Sequence, residues 1–259
     1  IQATRRPDRP ILLAETGALF FEEGLVLKDG RPTPYFVNMG SFKTGRLSRE
    51  LGAAYASMMV EHKLAGKVDV IIGPSYKGSA IAQSTSIALW EEHGVDLPFD
   101  YDRKEAKSHG EGSGGKDLFV NRTLFDGCKV FVVDDVATSM ATKYELLEKV
   151  ASFANTACIQ VHIAGVGIGV DREQTTAVYD EKGAVVLGRK GRDTVRDFVK
   201  KTGIPVYCVA RIREVMDYLS KQGMPVLVGG KRSPLDGLVM KEVERYLDTY
   251  GTERGAVEA

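Results

Sequence analysis

Two adjacent carboxylates follow an apolar run in the middle of the chain. The run Val130–Val133 is mostly β-branched, and it ends at Asp134 and Asp135. At the carboxyl end of a buried parallel strand, such a pair can accept hydrogen bonds from a vicinal diol or approach a divalent cation. The alternative interpretation of these residues alone is a strand that ends in a solvated acidic turn.

The segment after the acidic pair is suited to holding a phosphate. It leads into a helical pattern over Lys143–Val150 and consists of small, hydroxyl or apolar residues: Thr138, Ser139, Met140, Ala141 and Thr142. Backbone N–H groups at the positive end of a helix bind phosphate readily. A diol site and a phosphate site at this separation describe a ribose 5-phosphate.

A glycine-containing motif, GPSYKG, ends a second predicted strand, Val68–Ile72. Gly73 and Gly78 allow a tight loop in which backbone amides approach a ligand, and Lys77 can direct its ammonium group at a phosphate. Turns of this kind are common in α/β proteins, so the motif is a weak indicator by itself.

A cluster of cations follows a third predicted strand. It comprises Arg103, Lys104, Lys107 and His109, and the next residues are rich in glycine without an apolar anchor. We expect a mobile basic flap that closes over a polyanion. A solvated run of mixed charges is the alternative.

Four further residues could contact a ligand. Lys28, Tyr35 and Phe36 lie in a predicted hairpin with a turn at Asp29–Gly30, and Arg172 follows the apolar, β-rich run Cys158–Val170. Taken alone, the aromatic residues are typical of a core, Lys28 of a surface charge and Arg172 of a surface ion pair.

The composition excludes several classes of partner. The chain has 259 residues with 35 Lys and Arg against 35 Asp and Glu, so no overall charge attracts nucleic acid or an anionic membrane. The three cysteines are widely spaced, which indicates reduced thiols in a cytoplasmic protein. The apolar runs are too short to span a bilayer.

Strand and helix patterns alternate along most of the chain. They predict one α/β domain with a central, mostly parallel sheet flanked by helices. We expect residues 46–222 to form this core. Residues 1–45 would form an N-terminal cap with a helix over Ile11–Glu23 and the hairpin, and residues 223–259 a C-terminal helical extension whose last helix starts at Ser233–Pro234.

The order of the motifs resembles that of the orotate phosphoribosyltransferases, members of the type I phosphoribosyltransferase fold. The motifs are LKDGRPTPYF, GPSYKG, DRKEAKSHGEG, VVDDVAT and DRE, within about residues 12–219. The flap motif is the most specific of them, because the general fold does not require it. The resemblance implies transfer of the phosphoribosyl group from 5-phosphoribosyl 1-diphosphate (PRPP) to orotate, giving orotidine 5′-monophosphate and diphosphate in pyrimidine biosynthesis.

The resemblance also implies roles for individual residues. PRPP would contact Tyr76, Lys77, Arg103, Lys104, Lys107, His109, Asp134, Asp135, Thr138, Ser139, Met140, Ala141 and Thr142, of which Lys107, His109, Asp134 and Asp135 would be catalytic. Orotate would contact Lys28, Tyr35, Phe36, Thr138 and Arg172. The cofactor Mg²⁺ would be held mainly by PRPP, near Asp134 and Asp135. A non-proline cis peptide is expected near Ser75–Tyr76, and a homodimer would share the flap Arg103–Lys116 between subunits.

One motif departs from the family pattern. The phosphate loop of the family usually has glycine where Met140 stands and a hydroxyl residue where Ala141 stands. A positive φ at Met140 would be strained. This departure keeps open a non-catalytic nucleotide sensor or nucleic-acid-binding regulator on the same fold. A phosphoribosyltransferase for another base is a second alternative, against which Lys28, Phe36 and Arg172 argue.

Overall fold

The computed structural model of the protein describes residues 9–104, 118–137 and 140–253. Its helices are α1 Arg9–Glu15, α2 Gly45–Glu61, α3 Lys77–His93, α4 Ala141–Ala157, α5 Thr194–Thr202, α6 Ile212–Gln222 and α7 Gly237–Tyr250. Its strands are β1 Leu19–Phe21, β2 Tyr35–Val37, β3 Val70–Gly73, β4 Phe99–Tyr101, β5 Cys128–Ala137, β6 Val161–Asp171, β7 Val206–Arg211, β8 Pro225–Val228 and β9 Lys231–Pro234.

The larger sheet has the order β4-β3-β5-β6-β7, and its pairings are all parallel. The predicted α/β class with a central parallel sheet flanked by helices is confirmed. Because β3 and β5 are neighbours, the loop after β3 and the acidic end of β5 lie at the same edge of the sheet. Ligand sites of open parallel sheets form at this edge.

Two apolar cores cover the larger sheet. Ile71 and Phe131 belong to one core, whereas Ile72 and Val132, their neighbours in sequence, belong to the other. This division follows from the period of two along a strand. A strand that is buried on both faces consists of apolar residues throughout, and the run before Asp134 shows this pattern.

The smaller sheet joins the two ends of the chain in the order β2-β1-β8-β9. Strand β1 pairs with β2 in antiparallel and with β8 in parallel orientation, so that Phe20 lies beside Leu227. The C-terminal extension therefore contributes two strands in addition to helix α7. Its short strands depend on a partner about 200 residues away in sequence, which local propensity does not reveal.

The N-terminal helix is shorter than predicted. It ends at Glu15, and Gly17 then adopts a positive φ of 66°. Leu19 and Phe20, which fall within the predicted helix Ile11–Glu23, lie in β1 instead. Short apolar runs fit a helix and a buried strand equally well, and pairing with β8 decides between them.

Two further boundaries differ from the prediction. The turn at Asp29–Gly30 is present, closed by a bridge between Val26 and Pro32, but Tyr35–Val37 pairs with β1 rather than across this turn. Ser233–Pro234 ends β9. Helix α7 is capped by Asp236, whose carboxylate accepts hydrogen bonds from the N–H groups of Leu238 and Val239.

Among the described residues, no helix has the length and apolar character needed to cross a membrane. The three cysteines, Cys128, Cys158 and Cys208, are free thiols.

Candidate active site

The first carboxylate of the acidic pair is engaged inside the protein. Asp134 is 5% exposed, and its Oδ1 accepts a hydrogen bond from the backbone N–H of Asp135 at 2.9 Å. Its Oδ2 accepts one from the Thr142 hydroxyl at 3.1 Å and lies 2.5 Å from Nζ of Lys143. Donors from β5 and α4 thus occupy both oxygens.

The second carboxylate is more accessible. Asp135 Oδ1 accepts a hydrogen bond from the backbone N–H of Val136 at 2.7 Å, and Oδ2 accepts one from Nζ of Lys77 at 2.9 Å. Lys77 is exposed at the first position of α3. The structure therefore brings the lysine of the GPSYKG motif into contact with the acidic pair.

The backbone after the acidic pair has the conformation that glycine favours. Met140 caps α4 with φ of +58°, and its side chain is 2% exposed in the core that covers this face of the sheet. A left-handed conformation costs a non-glycine residue about 1–2 kcal/mol, and burying a methionine side chain contributes about 1.5–3 kcal/mol in the other direction. Ala141 and Thr142 form the first turn of α4, whereas Thr138 and Ser139 lie outside the described residues.

The loop after β3 is tight. A Cβ atom at Gly73 would overlap the carbonyl group of Gly78, so the predicted need for glycine is confirmed. The expected cis peptide bond between Ser75 and Tyr76 is present. The Ser75 backbone N–H donates a hydrogen bond to Oδ1 of Asp102 at 2.6 Å, which ties the loop to the end of β4.

The start of the predicted flap adjoins this loop. Nζ of Lys104 lies 4.6 Å from the centroid of the exposed Tyr76 ring. The backbone N–H of Arg103 donates a hydrogen bond to the carbonyl of Leu118. Lys107 and His109 lie outside the described residues.

A cavity of about 520 Å³ opens beside the acidic pair. It is lined by Leu27, Lys28, Asp29, Arg31, Phe36, Val37, Val136, Arg172, Gln174, Thr176, Ala177 and Tyr179. The cavity wall meets the end of β5 at Val136, the residue that follows Asp135. The expected ligand residues Lys28, Phe36 and Arg172 share this wall.

Arg172 is a buried cation in that wall. It is 3% exposed, and its Nη2 donates to the Thr33 hydroxyl at 3.2 Å and to the Tyr35 carbonyl at 3.4 Å. Its Nε has no hydrogen-bond partner among the described residues. A surface ion pair, the alternative for this arginine, is thereby excluded. A buried guanidinium with an unused donor is suited to a planar anion such as a carboxylate.

The two aromatic residues of β2 have different roles. Successive side chains of a strand point to opposite faces, so Phe36 lines the cavity whereas Tyr35 is fully buried. The Tyr35 hydroxyl donates to the Arg172 carbonyl at 3.3 Å, and burial raises the pKa of Tyr35 to about 12. Tyr35 is not among the residues that line the cavity but contacts Arg172, and the flanking of a bound base by both rings stays a prediction.

Arg31 is a cavity residue that the sequence interpretation missed. It is 1% exposed and donates from Nε and Nη2 to Asp29, and its guanidinium lies 5.3 Å from the ring centroid of Tyr250 in α7. Burial alone would raise the pKa of Asp29, but the hydrogen bonds from Arg31 lower it below its ordinary value. An arginine in a turn gives no signal of burial, because its partner Tyr250 is distant in sequence.

The residues at this edge of the sheet fit a metal ion that arrives with a substrate. In residues 9–104, 118–137 and 140–253, no three His, Cys, Asp or Glu side chains are grouped as metal ligands. The partly exposed Asp135 offers carboxylate oxygens. Mg²⁺ is commonly bound by one or two carboxylates together with substrate phosphates.

Comparisons with known proteins agree with this arrangement. A family model described as phosphoribosyl transferase domain matches residues 40–166. The orotate phosphoribosyltransferase of Bifidobacterium adolescentis is 35% identical over 252 residues, which cover 94% of this chain and 95% of the relative. That of Chromohalobacter salexigens is 35% identical over 205 residues, covering 79% and 78%.

Solved structures share the fold. The crystal structure of the orotate phosphoribosyltransferase of Francisella tularensis superposes with a TM-score of 0.67 at 24% identity, covering 93% of this chain and 98% of that one. The UMP synthase of Leishmania donovani gives a TM-score of 0.60 at 20% identity, covering 95% of this chain and 43% of the other.

Proposed function

This chain belongs to the orotate phosphoribosyltransferase family, and we infer that it transfers the phosphoribosyl group of PRPP to orotate. The products are orotidine 5′-monophosphate and diphosphate, in the synthesis of pyrimidines. The observation that carries this function is the cavity with a buried guanidinium, Arg172, which adjoins the acidic end of β5 through Val136. A base and a ribose bound at these two places would be neighbours.

Orotate would occupy the cavity. The Arg172 guanidinium would pair with the carboxylate of orotate, Phe36 would contact the ring, and Lys28 and Thr138 would donate hydrogen bonds. A purine has no carboxylate for Arg172, so the buried arginine favours orotate over other bases. Placing a buried charge opposite an anion also offsets the cost of removing both from water.

The ribose 5-phosphate would lie at the ends of β5 and α4. Asp135 would accept hydrogen bonds from the ribose hydroxyls, with Asp134 beside it, and backbone N–H groups over Thr138–Thr142 would bind the 5-phosphate. The left-handed backbone at Met140 supports this proposal, since it is the conformation that the family's glycine would adopt. The methionine substitution therefore does not by itself argue for a non-catalytic sensor.

The diphosphate would lie at the ends of β3 and β4. Lys77, Arg103 and Lys104 are cations around this position, with Tyr76 beside Lys104, and Lys107 and His109 would complete the site from the flap of a second subunit. We propose a homodimer for this reason. Mg²⁺, bound to the diphosphate and ribose oxygens with Asp135 nearby, would supply further neutralisation of the leaving group.

The chemistry requires no protein nucleophile. The C1–O bond of PRPP breaks as a ring nitrogen of orotate attacks C1 and gives up its proton to water or to the departing diphosphate, so positive charge develops on the sugar and negative charge on the leaving group. Cations at the diphosphate would stabilise the second charge, and the pairing of Arg172 with the orotate carboxylate would fix the direction of attack. Closure of the flap would exclude water, which otherwise hydrolyses the activated sugar.

The function is tested by following the loss of orotate absorbance after addition of PRPP and Mg²⁺. We expect turnover with orotate and none with hypoxanthine or uracil. Turnover with another base but not orotate would support the alternative enzyme. PRPP binding without turnover of any base would support a sensor.

The shared site is tested with inactive subunits. Lys107→Ala carries the defect in the flap, and an Asp134→Asn/Asp135→Asn variant carries it at the end of β5. Mixing the two under conditions that exchange subunits should restore part of the activity, because hybrid dimers contain one intact site. Mixtures that stay inactive although the subunits exchange would contradict the shared site.

A further inference from the structure

A buried lysine lies next to the acidic pair. Lys143 is the third residue of α4 and is 3% exposed. Its ammonium lies 2.5 Å from Oδ2 of Asp134 and donates a hydrogen bond to the carbonyl of Val136 at 2.9 Å. Its backbone N–H donates to the carbonyl of Met140. One side chain therefore connects the strand before the phosphate loop to the helix after it.

These contacts distinguish Lys143 from the other lysine at the acidic pair. Lys77 is exposed and bridges to Asp135, so it is free to meet a ligand, whereas Lys143 is 3% exposed and its ammonium is bonded to Asp134 and to the Val136 carbonyl. A buried ammonium is retained only where it is paired and hydrogen-bonded. Its position makes direct contact with a substrate a poor explanation.

We propose that Lys143 is a positioning residue of the ribose-phosphate site. Its ammonium holds the Asp134 carboxylate in place, so that the neighbouring Asp135 is presented to PRPP. The proposal rests on the proposed function for the identity of the ligand. It predicts that Lys143 affects PRPP and leaves orotate largely unaffected, because Asp134 does not line the cavity proposed for orotate.

The test is Lys143→Met, which keeps the length and apolar stem of the side chain and removes the ammonium. We expect KM for PRPP to rise about tenfold or more and KM for orotate to change less than about twofold. Lys201→Met is the matched control, because Lys201 contacts α4 from outside through the ring of Tyr144. It should leave both KM values unchanged. Equal changes in both KM values, or none, would overturn the proposal.

Lys143→Met leaves the Asp134 carboxylate buried without its partner, which can prevent the variant from folding. A second variant is designed for this case. Asp134→Asn/Lys143→Met removes both charges, and it is compared with Asp134→Asn alone. If Lys143 acts through Asp134, the double variant binds PRPP no more weakly than the single one, as measured by calorimetry. A further loss of about tenfold in the double variant would show that Lys143 acts on the ligand independently and would overturn the proposal.

Calorimetry with PRPP also separates this proposal from the proposed function. A wild-type chain that binds PRPP but does not consume orotate refutes the proposed reaction, while the comparison of variants still decides the role of Lys143. A wild-type chain that does not bind PRPP overturns both.

Discussion

The guanidinium of Arg172 lies 4.8 Å from the ring centroid of Tyr35, and the hydroxyl of the same tyrosine donates a hydrogen bond to the Arg172 carbonyl. Tyr35 in turn packs edge-on against Tyr246 of α7, with 5.8 Å between ring centroids. The C-terminal helix therefore supports the cavity arginine through one intervening aromatic ring. This relationship gives the C-terminal extension a place in the architecture of the site.

Arg172→Lys should weaken the use of orotate selectively. Lysine keeps the charge but loses the planar set of donors, and a charged hydrogen bond contributes up to about 3 kcal/mol, so kcat/KM for orotate should fall about 100-fold. Steady-state kinetics with each substrate varied in turn measures this. The exposed Arg192, changed to Lys, is the control. An equal rise in KM for PRPP would contradict a role specific to the base.

Tyr35→Phe should lower mainly the stability of the protein, whereas Phe36→Ala should weaken mainly its use of orotate. The first removes a buried hydroxyl from the Arg172 carbonyl and should lower the free energy of unfolding by about 1 kcal/mol with little effect on kinetics. The second removes a ring from the cavity wall and should raise KM for orotate about tenfold. Urea unfolding and orotate kinetics on both variants check this. A larger kinetic effect at Tyr35 than at Phe36 would contradict the assignment of the two faces.

Met140→Gly and Met140→Ala should separate backbone strain from side-chain burial. Both variants lose the buried side chain, but only glycine relieves the positive φ. We expect both to be less stable than the wild type, with the glycine variant more stable than the alanine variant by about 1 kcal/mol in urea unfolding. An alanine variant as stable as the glycine variant would mean that this backbone is not left-handed in solution.

Asp171→Asn should change the pH dependence of stability. Burial at the end of β6 raises the pKa of Asp171 to about 6, from 3.8 for the ordinary carboxyl group. Between these values the folded chain binds more protons than the unfolded chain, so the free energy of unfolding falls as pH rises through this window. The stability that the protonated Asp171 contributes is lost once pH exceeds the folded-state pKa.

The magnitude of this effect is about 3 kcal/mol between pH 4 and pH 7, since each pKa unit corresponds to about 1.4 kcal/mol. Asparagine removes the ionisation and keeps the side-chain oxygen that accepts from the Glu173 N–H. Urea unfolding across this range should therefore show a smaller decline for the variant than for the wild type. Asp217→Asn, an exposed change on α6, is the control for loss of charge. If the free energy of unfolding varied with pH in the same way for the wild type and Asp171→Asn, the prediction would be contradicted.

Local patterns predicted much of the parallel sheet. The apolar runs before Asp134 and before Gly73 are strands because residues buried on both faces must be apolar, and both runs end where polar or glycine residues must begin. Parallel strands place their carboxyl ends at one edge, but the pairing of β3 with β5 in the folded sheet is what brings Lys77 to Asp135. The same reasoning failed over Ile11–Glu23, where a short apolar run had no local feature to separate helix from strand.

The sequence by itself determined the α/β class, the position of the acidic pair and the family to which the motifs point, because these depend on periodicity and on short-range spacing. Only the tertiary structure decided that Phe36 and not Tyr35 lines the cavity, that Arg31 is buried against Tyr250, and that Lys143 is paired with Asp134. Each of these depends on which face of an element meets a partner brought near by folding, and side chains of the same type give no local sign of that choice.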